Sequence, residues 1–354
     1  MSETVRIVLV GLGNVNLGLI KILIDKKKAI AEQYNTRFNI VGVVDSSGMA
    51  VSEKGFAYED LVNLKYNKGK VNEMTGFLPK APELIADCIT ADLLIDASPV
   101  NLTPGNPGLQ LIKRAIEKGW HVVFANKAPL VLAFDQLMAL AQQHKTSIRY
   151  SATVCGGLPV VNVLKRDLKL ASLSSLHGVF NATSNFVLQE LEKGVAVEEA
   201  IKEAQKIGAA ETDPTLDISG QDTANKLYLI MKSFSDFDGS IKDIEVEGIE
   251  KITAEQVSKA AKVNTQIKLV ASAYKKENQW KLEVKPTTVA ADSFIGSCKG
   301  WEMGIEIKSD LYESISFKNY EADPRGTSAA VLRDMIDIQH QQVTLRMKNT
   351  NKGK

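Results

Sequence analysis

A lysine, Lys226, and three carboxylates, Glu211, Asp217 and Asp222, converge in one short stretch of this chain, and residues of these types can carry acid–base chemistry. Asp222 and Lys226 are four residues apart in Asp222–Phe234, whose helical periodicity puts them on one face. Glu211 and Asp217 precede them in a loop marked by Asp213-Pro214 and Gly220. An amine beside a developing alkoxide can supply both charge and a proton. The plainer reading of the same spacing is a surface ion pair worth about 0.3–0.5 kcal/mol. Lys127 follows the apolar run His121–Ala125 in Ala125-Asn126-Lys127. That places it at the carboxyl edge of a sheet, where open α/β sheets bind ligands, unless it is an ordinary solvated lysine.

A second constellation suits a dinucleotide. Val5–Val10 is an unbroken apolar run that ends in Gly11-Leu12-Gly13 and is followed by a helical pattern, Leu17–Ile24. Strand, tight turn and helix N-terminus form a cradle for pyrophosphate. The usual third glycine is replaced by Asn16, whose side chain is expected to crowd the helix–strand approach, with Gly18 two places later. Asp45 ends the next strand, Ile40–Val44, where a carboxylate accepts hydrogen bonds from a ribose and repels a 2′-phosphate. An ordinary turn-forming Asp is the alternative. The expected cofactor-binding set is Gly11, Gly13, Asn14, Val15, Asp45, Ser46, Ser98, Pro99, Asn126 and Lys127. The cofactor is NAD or NADP, and Asp45 favours NAD. Asp25–Thr36 reads as an insertion that lengthens the distance from Gly13 to Asp45.

These residues need a frame. Near-continuous apolar strands (Val5–Val10, Ile40–Val44, Leu93–Ala97, His121–Ala125) alternate with helices (Leu109–Lys118, Phe134–His144), which indicates a parallel sheet covered on both faces. After Tyr150 a glycine-rich turn, Cys155 to Pro159, opens a helix, and Val197–Lys206 and Asp222–Phe234 follow. Lys281–Ala290, Met303–Ile307 and Ser314–Phe317 read as antiparallel strands, Thr327–Ile338 as a last helix and Asn349–Lys354 as a frayed tail. The expectation is an α/β chain with a Rossmann-type doubly wound domain at 1–149, joined by a C-terminal helix at about 326–345. An α+β catalytic and dimerisation region occupies 150–325.

Composition narrows the function. Forty-three Lys+Arg against forty-two Asp+Glu leaves no charge excess to drive nucleic-acid or anionic-membrane binding. No apolar run approaches the roughly 20 residues of a membrane span, and the start lacks the pattern of an export signal, so the cytoplasm is expected. Cys88, Cys155 and Cys298 lack zinc or disulfide spacing. A small-molecule substrate remains.

The ordered series Ala125-Asn126-Lys127-Ala128-Pro129-Leu130, Tyr150 to Pro159, Asn181-Ala182-Thr183-Ser184-Asn185, Glu211 to Lys226, Val246 to Ile249 and Ile267 to Val270 resembles the homoserine dehydrogenase family over nearly the whole chain. The resemblance implies a short form without a C-terminal regulatory domain. It implies NAD(P)-dependent interconversion of L-homoserine and L-aspartate 4-semialdehyde by hydride transfer, catalysed with Lys127 and Lys226. It implies substrate binding by Thr183, Glu211, Asp217 and Asp222, a monovalent cation such as sodium on main-chain oxygens of Ser151, Val154, Gly156 and Leu158, and a homodimer. Departures from the family pattern are Asn16 for glycine, Ser151 for glutamate, Ala182 and Ser184 in the asparagine-rich run, and Ala209 and Asn225; none removes a proposed catalytic side chain. Two other functions fit less of the sequence. One is an acylating semialdehyde dehydrogenase with Cys155 as nucleophile, and the other a nicotinamide-binding sensor without catalysis.

Overall fold

A computed structural model of the chain describes residues 2–103, 107–206 and 214–352, the side chains of 107 and 343–352 excepted. The chain divides into two compact units, Met1–Thr153 with Pro324–Lys354, and Val154–Asp323.

The first unit begins β1 (Glu3–Val10), α1 (Asn14–Tyr34), β2 (Thr36–Asp45), β3 (Gly48–Val51), α2 (Tyr58–Tyr66) and β4 (Phe77–Leu78). It continues α3 (Ile85–Cys88), β5 (Leu93–Asp96), α4 (Pro107–Glu117), β6 (His121–Phe124), α5 (Ala128–Gln143) and β7 (Ile148–Arg149). The sheet order is β4-β3-β2-β1-β5-β6-β7. β2, β1, β5, β6 and β7 pair in parallel, while β3 and β4 add an antiparallel edge. The chain first moves from β1 to β2 and later returns to β1's other side at β5. The carboxyl ends of β1 and β5 are therefore the switch point at which such sheets open a ligand crevice. Within the segment expected as an insertion, residues 25–34 continue α1, whose 21 residues account for the long spacing from Gly13 to Asp45.

The second unit runs α6 (Val160–Asp167), β8 (Leu173–Val179), α7 (Ala182–Glu192), α8 (Val197–Lys206), α9 (Thr215–Ile218), α10 (Gln221–Phe234), β9 (Glu245–Val246) and α11 (Ala254–Lys262). β10 (Thr265–Lys276), β11 (Gln279–Ala290), β12 (Glu302–Ser309) and β13 (Ile315–Tyr320) complete it. Its six-stranded sheet has the order β13-β12-β8-β10-β11-β9, and α7, α10 and α11 pack on β10. The pairs β13–β12, β12–β8, β8–β10 and β10–β11 are antiparallel. β8 and β10, absent from the sequence-based strand assignment, are its central strands.

The final helix, α12 (Arg325–Lys352), belongs to the first unit and packs on α1. Ala330, Val331, Met335 and Ile338 join Leu19, Ile20 and Leu23 in one buried cluster. α12 runs to Lys352, into the segment whose polarity suggests a frayed tail; residues 353 and 354 lie outside the described residues. Gly18 permits the approach of the two helices, because a Cβ there would lie 2.4 Å from Ser328 Oγ. The close packing usually served by a third glycine at position 16 thus falls to Gly18, against α12.

Candidate active site

The expected cofactor residues stand at the carboxyl ends of four parallel strands. Gly11 and Gly13 follow β1, Asp45 and Ser46 end β2, Ser98 and Pro99 follow β5, and Asn126 and Lys127 follow β6. Gly11 has φ +79°, and its amide donates to Val44 O at 2.8 Å. Gly13 is the N-cap of α1 and supplies no side-chain cap, so the first amides of a long helix lack that internal acceptor. A Cβ built at Gly13 meets nothing within 4 Å. An uncapped, open helix N-terminus beside a glycine turn fits a dinucleotide pyrophosphate. Asn14 is exposed there and Val15 half-buried.

Asn16 does not crowd the cradle. It is fully buried, and its Nδ2 donates to Gly11 O at 2.6 Å and Val10 O at 3.2 Å, so the amide braces the turn from inside. Asp45 is also occupied: Oδ1 accepts from the Ser47 amide and hydroxyl, and Oδ2 from the Val71 amide. These bonds fix the carboxylate at the end of β2.

Sequence reasoning missed Asp96, the acidic end of the apolar strand Leu93-Leu94-Ile95. Its carboxylate accepts from Ser98 N at 3.0 Å, Ser98 Oγ at 2.6 Å and Asn126 Nδ2 at 3.2 Å. The Asp96 carbonyl accepts from the amides of Ala125 and Asn126, and Asn126 Oδ1 accepts from Ala128 N. Asp96 therefore sets the turn from which Lys127, the N-cap residue of α5, projects. Burial pushes its carboxyl up to about 6 from 3.8, against the hydrogen bonds from Ser98 and Asn126. The fold thus prefers the neutral acid. Asp96's contribution to stability is fully present below about pH 4 and lost as pH rises to about 6, a change on the order of 3 kcal/mol. Subtracting the stability of Asp96→Asn from that of the parent, by denaturant titration between pH 4 and 7, should reveal this falling slope; a flat difference would refute it.

In the second unit Lys226 and Asp222 share a face of α10 and form an ion pair at 2.7 Å. Asp222 is 6% exposed. Lys226 Nζ also donates to Phe180 O at 2.6 Å. This is no solvated surface pair. Burial works against the ammonium, but the charge and hydrogen bond of Asp222 outweigh it and hold Lys226 above its ordinary range. Asn181 Nδ2 donates to Asp217 Oδ1 at 2.6 Å and to Asp222 Oδ2 at 2.8 Å. Thr183 is buried in the first turn of α7, two residues after this N-cap asparagine. The structure thus gathers Lys226, Asp222, Asp217 and Asn181, whereas Glu211 lies outside the described residues. Among the described residues the protonated amine has two acceptors, which leaves a third N–H, the minimum equipment for protonating a carbonyl oxygen.

Cys155 is buried, and its thiol donates to Phe180 O. Burial pushes it up to about 12 despite Lys226, which removes the thiolate an acylating mechanism needs. Ser151 faces α12: its amide and hydroxyl bind the Asp334 carboxylate at 2.8 and 2.6 Å. Leu158 O accepts from Val160 N, and the amide of Gly157 donates to Glu321. Among the described residues no cluster of His, Cys, Asp and Glu could hold a metal ion.

The homoserine dehydrogenase profile matches residues 159–336, and the profile of the homoserine dehydrogenase NAD-binding domain matches residues 11–151. The chain belongs to the homoserine dehydrogenase family. It is 34% identical to homoserine dehydrogenase of Methanocaldococcus jannaschii over 335 residues, 94% of this chain and 98% of that one. An NAD(+)-dependent homoserine dehydrogenase of Pseudomonas canavaninivorans is 29% identical over 98% of this chain and 99% of its own length. Among solved structures, homoserine dehydrogenase of Thermoplasma acidophilum superposes with a TM-score of 0.83 at 25% identity, covering 96% of this chain and 100% of that one. Membership of this family makes the chain an NAD(P)-dependent oxidoreductase with a small-molecule substrate, and neither the acylating nor the sensor reading is favoured. Among the described residues no helix is long and apolar enough to cross a membrane.

Proposed function

We propose that the chain interconverts L-homoserine and L-aspartate 4-semialdehyde, with Lys226 giving the carbonyl oxygen its proton in reduction and taking it back in oxidation. The observation that carries this reading is the buried Lys226 ammonium, fixed by Asp222 and Phe180 O. The nicotinamide would supply or accept the hydride. Lys226 would stabilise developing charge on oxygen, and Lys127, at the N-terminus of α5, is assigned to the same carbonyl on the family resemblance. Thr183, Asp217, Asp222 and Glu211 would hold the amino-acid end of the substrate. We assign the nucleotide to the first unit, through the strand-end residues from Gly11 to Lys127, and the substrate to the second.

Asp45 would disfavour a 2′-phosphate, because a second negative charge would meet a carboxylate already fixed in place. Oxidation of a panel of amino-alcohols, homoserine included, with NAD and NADP in parallel tests substrate and cofactor together. Homoserine with NAD should give the highest kcat/KM. No nicotinamide absorbance change with homoserine would overturn the substrate assignment, and equal or better efficiency with NADP the cofactor preference.

A monovalent cation on main-chain oxygens of Ser151, Val154, Gly156 and Leu158 belongs to the same proposal, as does a cytoplasmic location. Homodimerisation through the strands after Lys281 is supported by Ile315 and Phe317, which stay half-exposed on β13. Sedimentation equilibrium at micromolar concentration should find little monomer; a single-chain mass would remove the dimer.

A further inference from the structure

We propose that Asn181 is the positioning residue of the proton donor: its carboxamide spans two carboxylates and holds Asp222 where Asp222 holds Lys226. The inference rests on the reading of Lys226 as that donor. Asn181 is 4% exposed, and its orientation is fixed from two sides. Oδ1 accepts the Ser184 amide at 2.7 Å as the N-cap of α7, so the amide nitrogen must point the other way. There each N–H has its own anion, Asp217 Oδ1 and Asp222 Oδ2. The flipped amide would set its oxygen against two carboxylates and its NH2 against a backbone N–H, which electrostatics forbids.

The arrangement does more than cap a helix. Asp222 Oδ2 is shared between Asn181 and Lys226, while Lys226 also takes the carbonyl of the preceding residue, Phe180. One β8–α7 junction therefore fixes both the acid and its counter-ion. Two neighbouring carboxylates repel each other, and a donor to both relieves that repulsion. Because the donor is neutral, Asp217, Asp222 and Lys226 together keep one negative charge, which suits a substrate that carries an ammonium group. A cation at position 181 would cancel that charge and compete with Lys226 for Asp222.

The test compares Asn181→Ser, Asn181→Asp, Asn181→Ala and Lys226→Met for kcat, KM, the pH profile of aldehyde reduction and the thermal midpoint. Serine and aspartate both keep a good helix cap and lose the NH2. Asn181→Ser should hold its thermal midpoint while kcat falls by about 10²-fold, the scale of a misplaced reacting group. Its alkaline limb should move to lower pH, because burial continues to act on Lys226 after the hold of Asp222 weakens. Asn181→Asp should lose at least as much kcat, since a third carboxylate replaces the donor. Asn181→Ala should match serine in kcat and lose thermal stability as well, separating cap from positioning. Parent-like kcat and alkaline limb in Asn181→Ser and Asn181→Asp, with Lys226→Met inactive, would reduce Asn181 to a cap and overturn the proposal alone. An active Lys226→Met would overturn the assignment of the donor, and this proposal with it.

Discussion

Lys226→Met is expected to fold, to bind nicotinamide and to lose about 10²–10⁴-fold in kcat with homoserine, the range associated with a positioned acid–base group. Methionine keeps most of the length and removes the charge, so the loss reads chemistry rather than a cavity. It also leaves Asp222 buried without its ammonium, a large penalty in principle. Two features limit it here: Asn181 still donates to Asp222, and the carboxyl can take up a proton. The direction of the Lys226 shift adds a second signature. On the proposed assignment reduction needs the ammonium, which Asp222 keeps protonated, whereas oxidation needs the neutral amine. The oxidation rate should therefore climb with alkalinity through a pH range where reduction is still fully active, and this asymmetry should vanish in the methionine variant. Lys127→Met, on the other unit, should lower kcat too. Should both variants stay folded, bind nicotinamide and turn over homoserine normally, the catalytic assignment would be wrong.

How much of this was legible in the sequence depends on how local each signal was. Asp222 and Lys226 sit four apart on a helix, and Gly11 and Lys127 follow apolar strands; periodicity exposes both. The role of Asn181 is invisible to periodicity, because its partners are 36 and 41 residues away. Asp96 could have been singled out as a lone acid completing an apolar strand; two of its hydrogen bonds come from Ser98 two residues on, and only the one from Asn126 depends on β5 lying beside β6. The second half of α1 was hidden by charge: past Asp25 only Ile30 is buried, so a mostly solvated helix read as an insertion. β8 was hidden for a related reason. Leu-Ser-Ser-Leu-His-Gly-Val does not alternate cleanly, and the strand is recognised only once β10 and β12 flank it. Asn16 illustrates the reverse error. Side-chain size suggested crowding, but the amide turned inward to the two carbonyls it braces.

The two turn glycines should fail in opposite ways. At Gly11 a methyl group would lie 2.7 Å from Ala97 O and Ser98 Cα and 2.8 Å from Ser98 N, all backbone atoms that cannot rotate aside. The φ of +79° adds left-handed strain of about 1–2 kcal/mol, and overpacking typically adds about 1–3 kcal/mol. Gly11→Ala is thus expected to cost roughly 2–5 kcal/mol, a large part of the about 5–15 kcal/mol that holds a domain together, because β1 and β5 must separate at the switch point. Gly13 has an ordinary φ of −91°, and a methyl group there meets no protein atom within 4 Å. Gly13→Ala should therefore stay within about 1 kcal/mol of the parent, the cost of a poorer N-cap. Its methyl would instead occupy the space over the α1 N-terminus assigned to pyrophosphate, and the Kd for NAD should rise at least about tenfold, or 1.4 kcal/mol. Denaturant unfolding together with calorimetric titration of NAD separates the two effects. Unchanged NAD affinity in Gly13→Ala would mean that the dinucleotide does not cross that helix end.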